Sequence, residues 1–424
     1  MQPGTLNFDG VEYPDGPASD PVVLGWMRGS PPPDERRVQF DGDRFLEFPR
    51  LRWTLSHLRE LVPTACVWRG GHASAPLGTA GSAGESAIDA LAFTDLGGAR
   101  RLWKDALEDT YSDGILVLHR GKVVYERYFG ALEAQRPHAC FSITKSYAAT
   151  IAASLIHEGA LDESRPVPYY LPEMTGTAYH DANLRHLLDM QAGVAYSEEY
   201  KDPNAEVWAY ARAGGLRPRR PNQGGPRNYY EFLVTLRKEG EHGRTFAYKT
   251  VNTEVLCWIM KRVTGFGLAD TLSRRIWSPL CCAEDGYFSV DSIGVEMGGG
   301  GLNACLRDLA RFGEMMRRDG DWNGKQVVPA AVVADIRAGS DPAKFATAGY
   351  SLLPGYSYRS MWWVAHDDLG AFEARGIHGQ RLFVAPRAEV VIARFASHPI
   401  AASAANDPIT LPSFRALARA LAAG

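Results

Sequence analysis

Apolar and polar positions alternate along residues 115–120 and 123–128, and Gly121-Lys122 separates the two runs. Two such runs around a glycine turn predict a hairpin of paired strands. Directly downstream the period changes. Ala148, Ala149, Ile151, Ala152, Leu155 and Ile156 fall at helical spacing, and the stripe ends near Gly159, which predicts a buried helix. Helical spacing continues through the middle of the chain between long loops. Helices are expected at 183–190, 229–238 and 252–264. The last carries Val255, Leu256, Ile259, Met260 and Val263 on one side and stops at Gly265. Further helices are expected at 306–318 and 413–422. Between these two, 356–365, 371–378, 382–385 and 390–396 are apolar or aromatic runs that predict strands. Strands at both ends with helices between them predict an α+β fold. Its antiparallel sheet comes from both chain ends and is flanked by helices, and a mainly helical domain is inserted. The expected division is 1–160 with 301–424 for the sheet domain and 161–300 for the helical one.

Residues 1–50 are rich in Pro, Gly and Asp and read as an arm wrapped around the sheet domain. Residues 70–86 form a loop of small residues. The basic stretch 214–228, GGLRPRRPNQGGPRN, reads as a solvated surface loop, with a lid over a site as the sharper alternative. Gly298–Gly301 lack a preceding strand and the G-x-G-x-x-G order of a dinucleotide site. They are expected to form a close-packed turn against the sheet.

The 424 residues are enough for a large core and two lobes. A net charge of −3, and no basic segment with interleaved aromatics, argue against a nucleic-acid partner. The first twenty residues lack the basic and apolar regions of a signal peptide. No apolar run approaches the ~20 residues that span a bilayer. A cytoplasmic protein with no membrane partner is therefore expected. The six cysteines show no C-x-x-C spacing, so reduced thiols are expected and no metal or other cofactor is implied. Cys140 has apolar neighbours and reads as a packing residue.

The segment with the most chemistry is Ser142-Ile143-Thr144-Lys145. A hydroxyl and an amine three residues apart at a helix start share one face. A neutral lysine there can take the serine proton, which makes the pair a candidate nucleophile and base. The plainer alternative is a helix-start serine beside an exposed lysine. Tyr248 precedes the helix expected at 252–264; its alternative is a ring packed in the core.

A hairpin followed by a buried helix opening on Ser-x-x-Lys resembles the serine β-lactamases and penicillin-binding proteins. Tyr248 stands where that superfamily carries a Tyr-x-Asn element, with Thr250 in place of the usual Asn. The Lys-Thr-Gly of penicillin-recognising enzymes is absent, and Lys249-Thr250-Val251 breaks it. Gly376-Ile377-His378-Gly379-Gln380 resembles the His-Gly variant of esterase and amidase relatives. A basic side chain on that strand grips a substrate carboxylate, so the substrate here need not present one at that point. Seven colinear segments (52–65, 141–146, 187–203, 248–259, 307–313, 361–363 and 376–380) resemble the nylon-oligomer amidases, the 6-aminohexanoate-dimer hydrolase group.

This resemblance implies a β-lactamase/transpeptidase-like fold and a catalytic set of Ser142, Lys145 and Tyr248. It also implies Tyr200 as a loop tyrosine over the site, and backbone N–H donors at Ser142 and near Ile377. His378 is expected to line the pocket or stand behind it. The implied activity is hydrolysis of short linear amides through an acyl-enzyme, with carboxylesterase activity beside it. Its partner is a small-molecule amide or ester; a homodimer is left open. The alternatives are a carboxylesterase without useful amidase activity and a non-catalytic binding module. An amino-terminated substrate carries an ammonium that calls for a carboxylate. Glu198, Glu199, Asp202 and Glu206 crowd the Tyr200 loop, and any could serve, or all could form a solvated acidic loop. Tyr210-Ala211-Arg212 offers none.

Overall fold

The computed structural model describes residues 4–8, 10–41, 44–81, 84–219, 222 and 224–424. Its main element is an eight-stranded sheet. In spatial order the strands are Ser357–Arg359, Trp362–Val364, Phe372–Gly376, Gln380–Ala385, Val390–Ala396, Ser112–His119, Lys122–Tyr128 and Gly78–Thr79. Every neighbouring pair is antiparallel except the last, where Gly78–Thr79 runs parallel to Lys122–Tyr128. The α+β class and the contribution of both chain ends follow the expectation; the parallel edge pair departs from it.

Both faces of the sheet are covered, so the central strands are buried along their whole length. Alternate side chains therefore meet different helices. The Leu382 side chain presses on Gly313 of the helix Leu306–Arg317, where an added Cβ would lie 2.7 Å from it. The next residue, Phe383, turns the other way and meets Phe414 of the last helix, Asp407–Ala423, edge-on at 6.0 Å. The buried helix Ile143–His157 packs beside Leu306–Arg317 through stacked Tyr147 and Phe312, 3.7 Å apart.

A second, four-stranded sheet sets up the site. Its order is Thr64–Val67, Gly286–Ser289, Leu302–Ala304, His138–Ala139. The chain leaves His138–Ala139 toward Ser142 and enters Leu302–Ala304 from the glycine turn. Pairing these strands brings the two segments side by side. The Cys140 N–H donates to the Leu302 carbonyl (2.9 Å), and Leu302 N–H donates to Thr144 Oγ1 (3.1 Å).

The N-terminal arm folds as a hairpin, Thr5–Phe8 with Val11–Pro14, followed by the short helix Pro21–Leu24. Buried Arg52 pins it to the sheet: Nη1 donates to Gly16 O (2.5 Å) and Ser19 Oγ (2.9 Å), and Nη2 to Asp113 (3.3 Å).

Several expected elements end early, each for a local reason. The helix expected at 229–238 closes at Leu233, because Arg237 and Lys238 pair with Val194 and Ala195 instead. The run 356–365 is two strands, since Ser360 and Met361 adopt left-handed φ values of 46° and 58° and turn the chain. The strand expected over 371–378 ends at Gly376, where Ile377–Gly379 form a tight turn with His378 at φ 61°. The stretch 70–86 contributes the edge strand Gly78–Thr79 and the start of the helix Glu85–Asp89; residues 82–83 lie outside the described residues, as do 220–221 and 223 of the basic loop.

Candidate active site

Ser142 opens the helix Ile143–His157, immediately after Phe141, whose φ of 45° places it in the left-handed region. That turn bends the chain sharply from strand to helix and leaves Ser142 half-buried at the helix start. Lys145, one turn on, is fully buried. Its Nζ lies 2.7 Å from Ser142 Oγ and donates to the Gly299 carbonyl at 2.5 Å. Burial drives the Lys145 pKa down from 10.5 to about 8; Glu198 and Glu254 pull the other way. A lysine in that range is substantially neutral at mildly alkaline pH and can accept the serine proton.

Tyr248 lies against this pair. Lys145 Nζ is 5.0 Å from the centre of its ring, and its hydroxyl interacts with Ser142. The ring stacks on Trp363 (5.7 Å, 29°) and meets Tyr358 edge-on (6.2 Å). Burial pushes the phenol well above its usual 10, so it remains a proton donor. Tyr350, Phe345 and Phe246 extend this aromatic wall around Trp363.

The turn after Phe372–Gly376 closes the other side. A Cβ on Gly376 would sit 2.7 Å from the Cys140 carbonyl, so a larger residue there would push the strand end away from Ser142. The His378 ring lies 5.6 Å from Phe141. Its Nδ1 is 2.7 Å from the His398 carbonyl. A carbonyl can only accept, so Nδ1 carries the proton. Burial lowers the His378 pKa to about 4, leaving the imidazole neutral above pH ~5.

The four loop carboxylates separate in the structure. Glu199 caps Lys201 N–H (3.1 Å), Asp202 caps Asn204 N–H (2.9 Å) and Glu206 caps Ser197 N–H (2.9 Å). Glu198 alone turns inward: it accepts from Thr250 N–H, interacts with the Tyr200 hydroxyl and acts electrostatically on Lys145. Burial raises its pKa against these partners. Tyr200 stands beside it, edge-on to Trp208 at 5.9 Å. Arg217, from the basic loop, stacks over Trp208 at 4.6 Å. The described part of that loop thus braces the Tyr200 segment as well as meeting solvent.

The glycine turn packs against the helix Val251–Thr264 rather than the main sheet. A Cβ on Gly298 would meet Cys257 Sγ at 2.4 Å, and one on Gly299 would meet Thr250 Cγ2 at 2.3 Å. Glu254 and the Gly299 carbonyl are the site groups that sequence reasoning missed. The available signal was a lone carboxylate within a helical stripe otherwise set by Val251, Val255 and Trp258.

The beta-lactamase family model matches residues 100–410. The chain is 36% identical to 6-aminohexanoate-dimer hydrolase of Paenarthrobacter ureafaciens, over 92% of this chain and 91% of that protein. A solved Bacillus anthracis protein assigned to the same hydrolase superposes with a TM-score of 0.83 at 30% identity, covering 92% of this chain and 98% of that one. A family VIII carboxylesterase shares the fold at a TM-score of 0.54 and 15% identity, covering 74% and 96%. With a buried lysine against a helix-start serine, the chain belongs to the beta-lactamase family, in the 6-aminohexanoate-dimer hydrolase group, and is a serine hydrolase of amides or esters.

Proposed function

We propose that the protein cleaves short linear amides through an acyl-enzyme on Ser142, with ester cleavage as a second activity. The observation that carries this is the 2.7 Å approach of fully buried Lys145 Nζ to Ser142 Oγ. Ser142 Oγ attacks the substrate carbonyl carbon while its proton passes to neutral Lys145. Backbone N–H groups of Ser142 and Ile377 receive the oxyanion; such a donor is typically worth ~3 kcal/mol of barrier. Tyr248 then protonates the leaving nitrogen as the C–N bond breaks, and is reprotonated from Lys145. Water enters and attacks the acyl carbon, its proton passes through the Tyr248 hydroxyl to neutral Lys145, and Lys145 returns it to Ser142 Oγ as the acyl–Oγ bond breaks and the acid leaves. Tyr200 hydrogen-bonds the leaving nitrogen. His378, neutral and tied to His398, shapes the pocket rather than moving protons.

The aromatic wall of Tyr248, Trp363, Tyr358 and Tyr350 suits a chain of methylenes. Glu198 is the loop carboxylate turned toward the site, so it is the group to meet a substrate ammonium. An amino-terminated linear amide such as the 6-aminohexanoate dimer satisfies both features. The test compares turnover of that dimer with turnover of p-nitrophenyl butyrate, using Ser142→Ala as blank. Dimer turnover well above the blank, lost selectively in Glu198→Gln, supports the reading. Brisk ester cleavage with dimer turnover at the blank reduces it to a carboxylesterase.

A further inference from the structure

The scheme above leaves one buried carboxylate beside the site without a role. Glu254 lies within the helix Val251–Thr264 and is 3% exposed. Its Oε1 accepts from Gly299 N–H (2.7 Å) and from the Tyr210 hydroxyl (2.5 Å), and its Oε2 accepts from Gly298 N–H (3.0 Å). The carbonyl of that same Gly299 receives Lys145 Nζ. A Cβ at Gly299 would lie 2.9 Å from Glu254 Oε1, so the turn sits directly on the carboxylate. A single peptide segment therefore connects Glu254 to the lysine: N–H on one side, C=O on the other.

We propose that Glu254 is a positioning residue for the base: it clamps the Gly298–Gly301 turn where the Gly299 carbonyl holds Lys145 Nζ against Ser142. The proposal rests on Lys145 acting as the base. Two backbone N–H groups and one phenol fix the carboxylate at three points, and its negative charge is felt at Lys145. Lys145 also faces Glu198 from the Tyr200 loop and Cys257 from the Glu254 helix. Glu254 in turn faces Tyr179, Tyr196, Tyr210, Tyr229, Tyr230 and Cys257 besides Lys145.

Burial pushes Glu254 up to about 7, against the pull of its three donors, and Lys145 exchanges its proton near 8. The two groups titrate in adjoining ranges, so the charge on one steers the other. An ionised Glu254 favours the ammonium form of Lys145. Neutralising Glu254 therefore moves lysine deprotonation to lower pH.

The experiment records kcat/KM for p-nitrophenyl butyrate from pH 6 to 10 with the full chain, its Glu254→Gln, Tyr210→Phe and Lys145→Ala variants. Glu254→Gln keeps the size but turns one acceptor into a donor facing a backbone N–H. It is expected to lower kcat about tenfold and to shift the acidic limb down by about half a unit or more. Tyr210→Phe removes one donor to the carboxylate, keeps Glu254 neutral to higher pH, and is expected to shift the limb the same way by less. Should Glu254→Gln fail to fold, the Tyr210→Phe limb decides alone. Unmoved limbs in the folded variants, with Lys145→Ala inactive, overturn the clamp and leave the base assignment standing. An active Lys145→Ala overturns the base assignment, and the clamp with it.

Discussion

Replacing Lys145 by Met should give an inactive protein that is more stable than the parent at neutral pH. The buried lysine has its pKa lowered from 10.5 to about 8, so the folded state resists protonating a group that the unfolded chain protonates freely. At pH 7 that difference costs about 3 kcal/mol of stability. Methionine fills a similar volume without a charge, but leaves the Gly299 carbonyl unpaired. An unsatisfied buried acceptor returns about 1–3 kcal/mol of penalty, so the net gain is about 1 kcal/mol. The pH dependence is the sharper signature. The folded pKa lies below the unfolded one, so the lysine's cost is fully present below pH ~8 and fades as pH rises to 10.5. The advantage of Lys145→Met should therefore shrink by about 2.5 kcal/mol between pH 7 and pH 10. Urea unfolding of both proteins at the two pH values measures it. A stability difference that stays constant across that range would refute the reasoning, because the lysine would then not be a desolvated, depressed amine.

Three other substitutions test the remaining groups. Ser142→Ala should abolish ester and amide turnover and the acyl adduct seen by intact mass; a surviving adduct would place the nucleophile elsewhere. Tyr200→Phe should cost about tenfold on an amide and about twofold on an activated ester, whose leaving group needs less protonation; equal losses would remove Tyr200 from leaving-group chemistry. His378→Asn keeps a residue that tolerates the left-handed φ of 61°. It should leave the acidic limb of kcat/KM unmoved, and a displaced limb would make the imidazole a proton carrier.

The pairing of Ser142 with Lys145 is legible in the sequence because helix geometry alone determines it: three residues along a helix return to the same face. Tyr248 is less local, since only the colinear segments locate its helix beside the other one. The strands at 382–385 and 390–396 are legible as continuous apolar runs, which is how strands covered on both faces read. The breaks are not. Ser360, Met361 and His378 turn the chain with left-handed φ although none is glycine, so composition carries no turn signal there. The helix at Tyr229 stops early because distant residues, Val194 and Ala195, claim its continuation, and no local pattern records that.

The carboxylates show where reading by composition runs out. Glu198, Glu199, Asp202 and Glu206 are the same chemistry within nine residues, yet three accept from loop N–H groups and one faces Lys145. What separates them is the backbone course of the loop, set by its packing under Trp208 and Arg217. Glu254 is the opposite case. A charged residue inside an apolar helical stripe is energetically anomalous, because an isolated buried carboxylate is costly unless it is bonded. Its donors come from Gly298, Gly299 and Tyr210, two separate segments, and only the closeness permitted by glycine lets the turn reach it. The same closeness brings the Gly299 carbonyl to Lys145. The glycines, which read as mere packing, and the buried acid, which reads as an exception, are two halves of one arrangement around Lys145. Substituting Gly299 by Ala should therefore disturb Lys145 as well as the fold, and a loss of kcat larger than the loss of stability would be its mark.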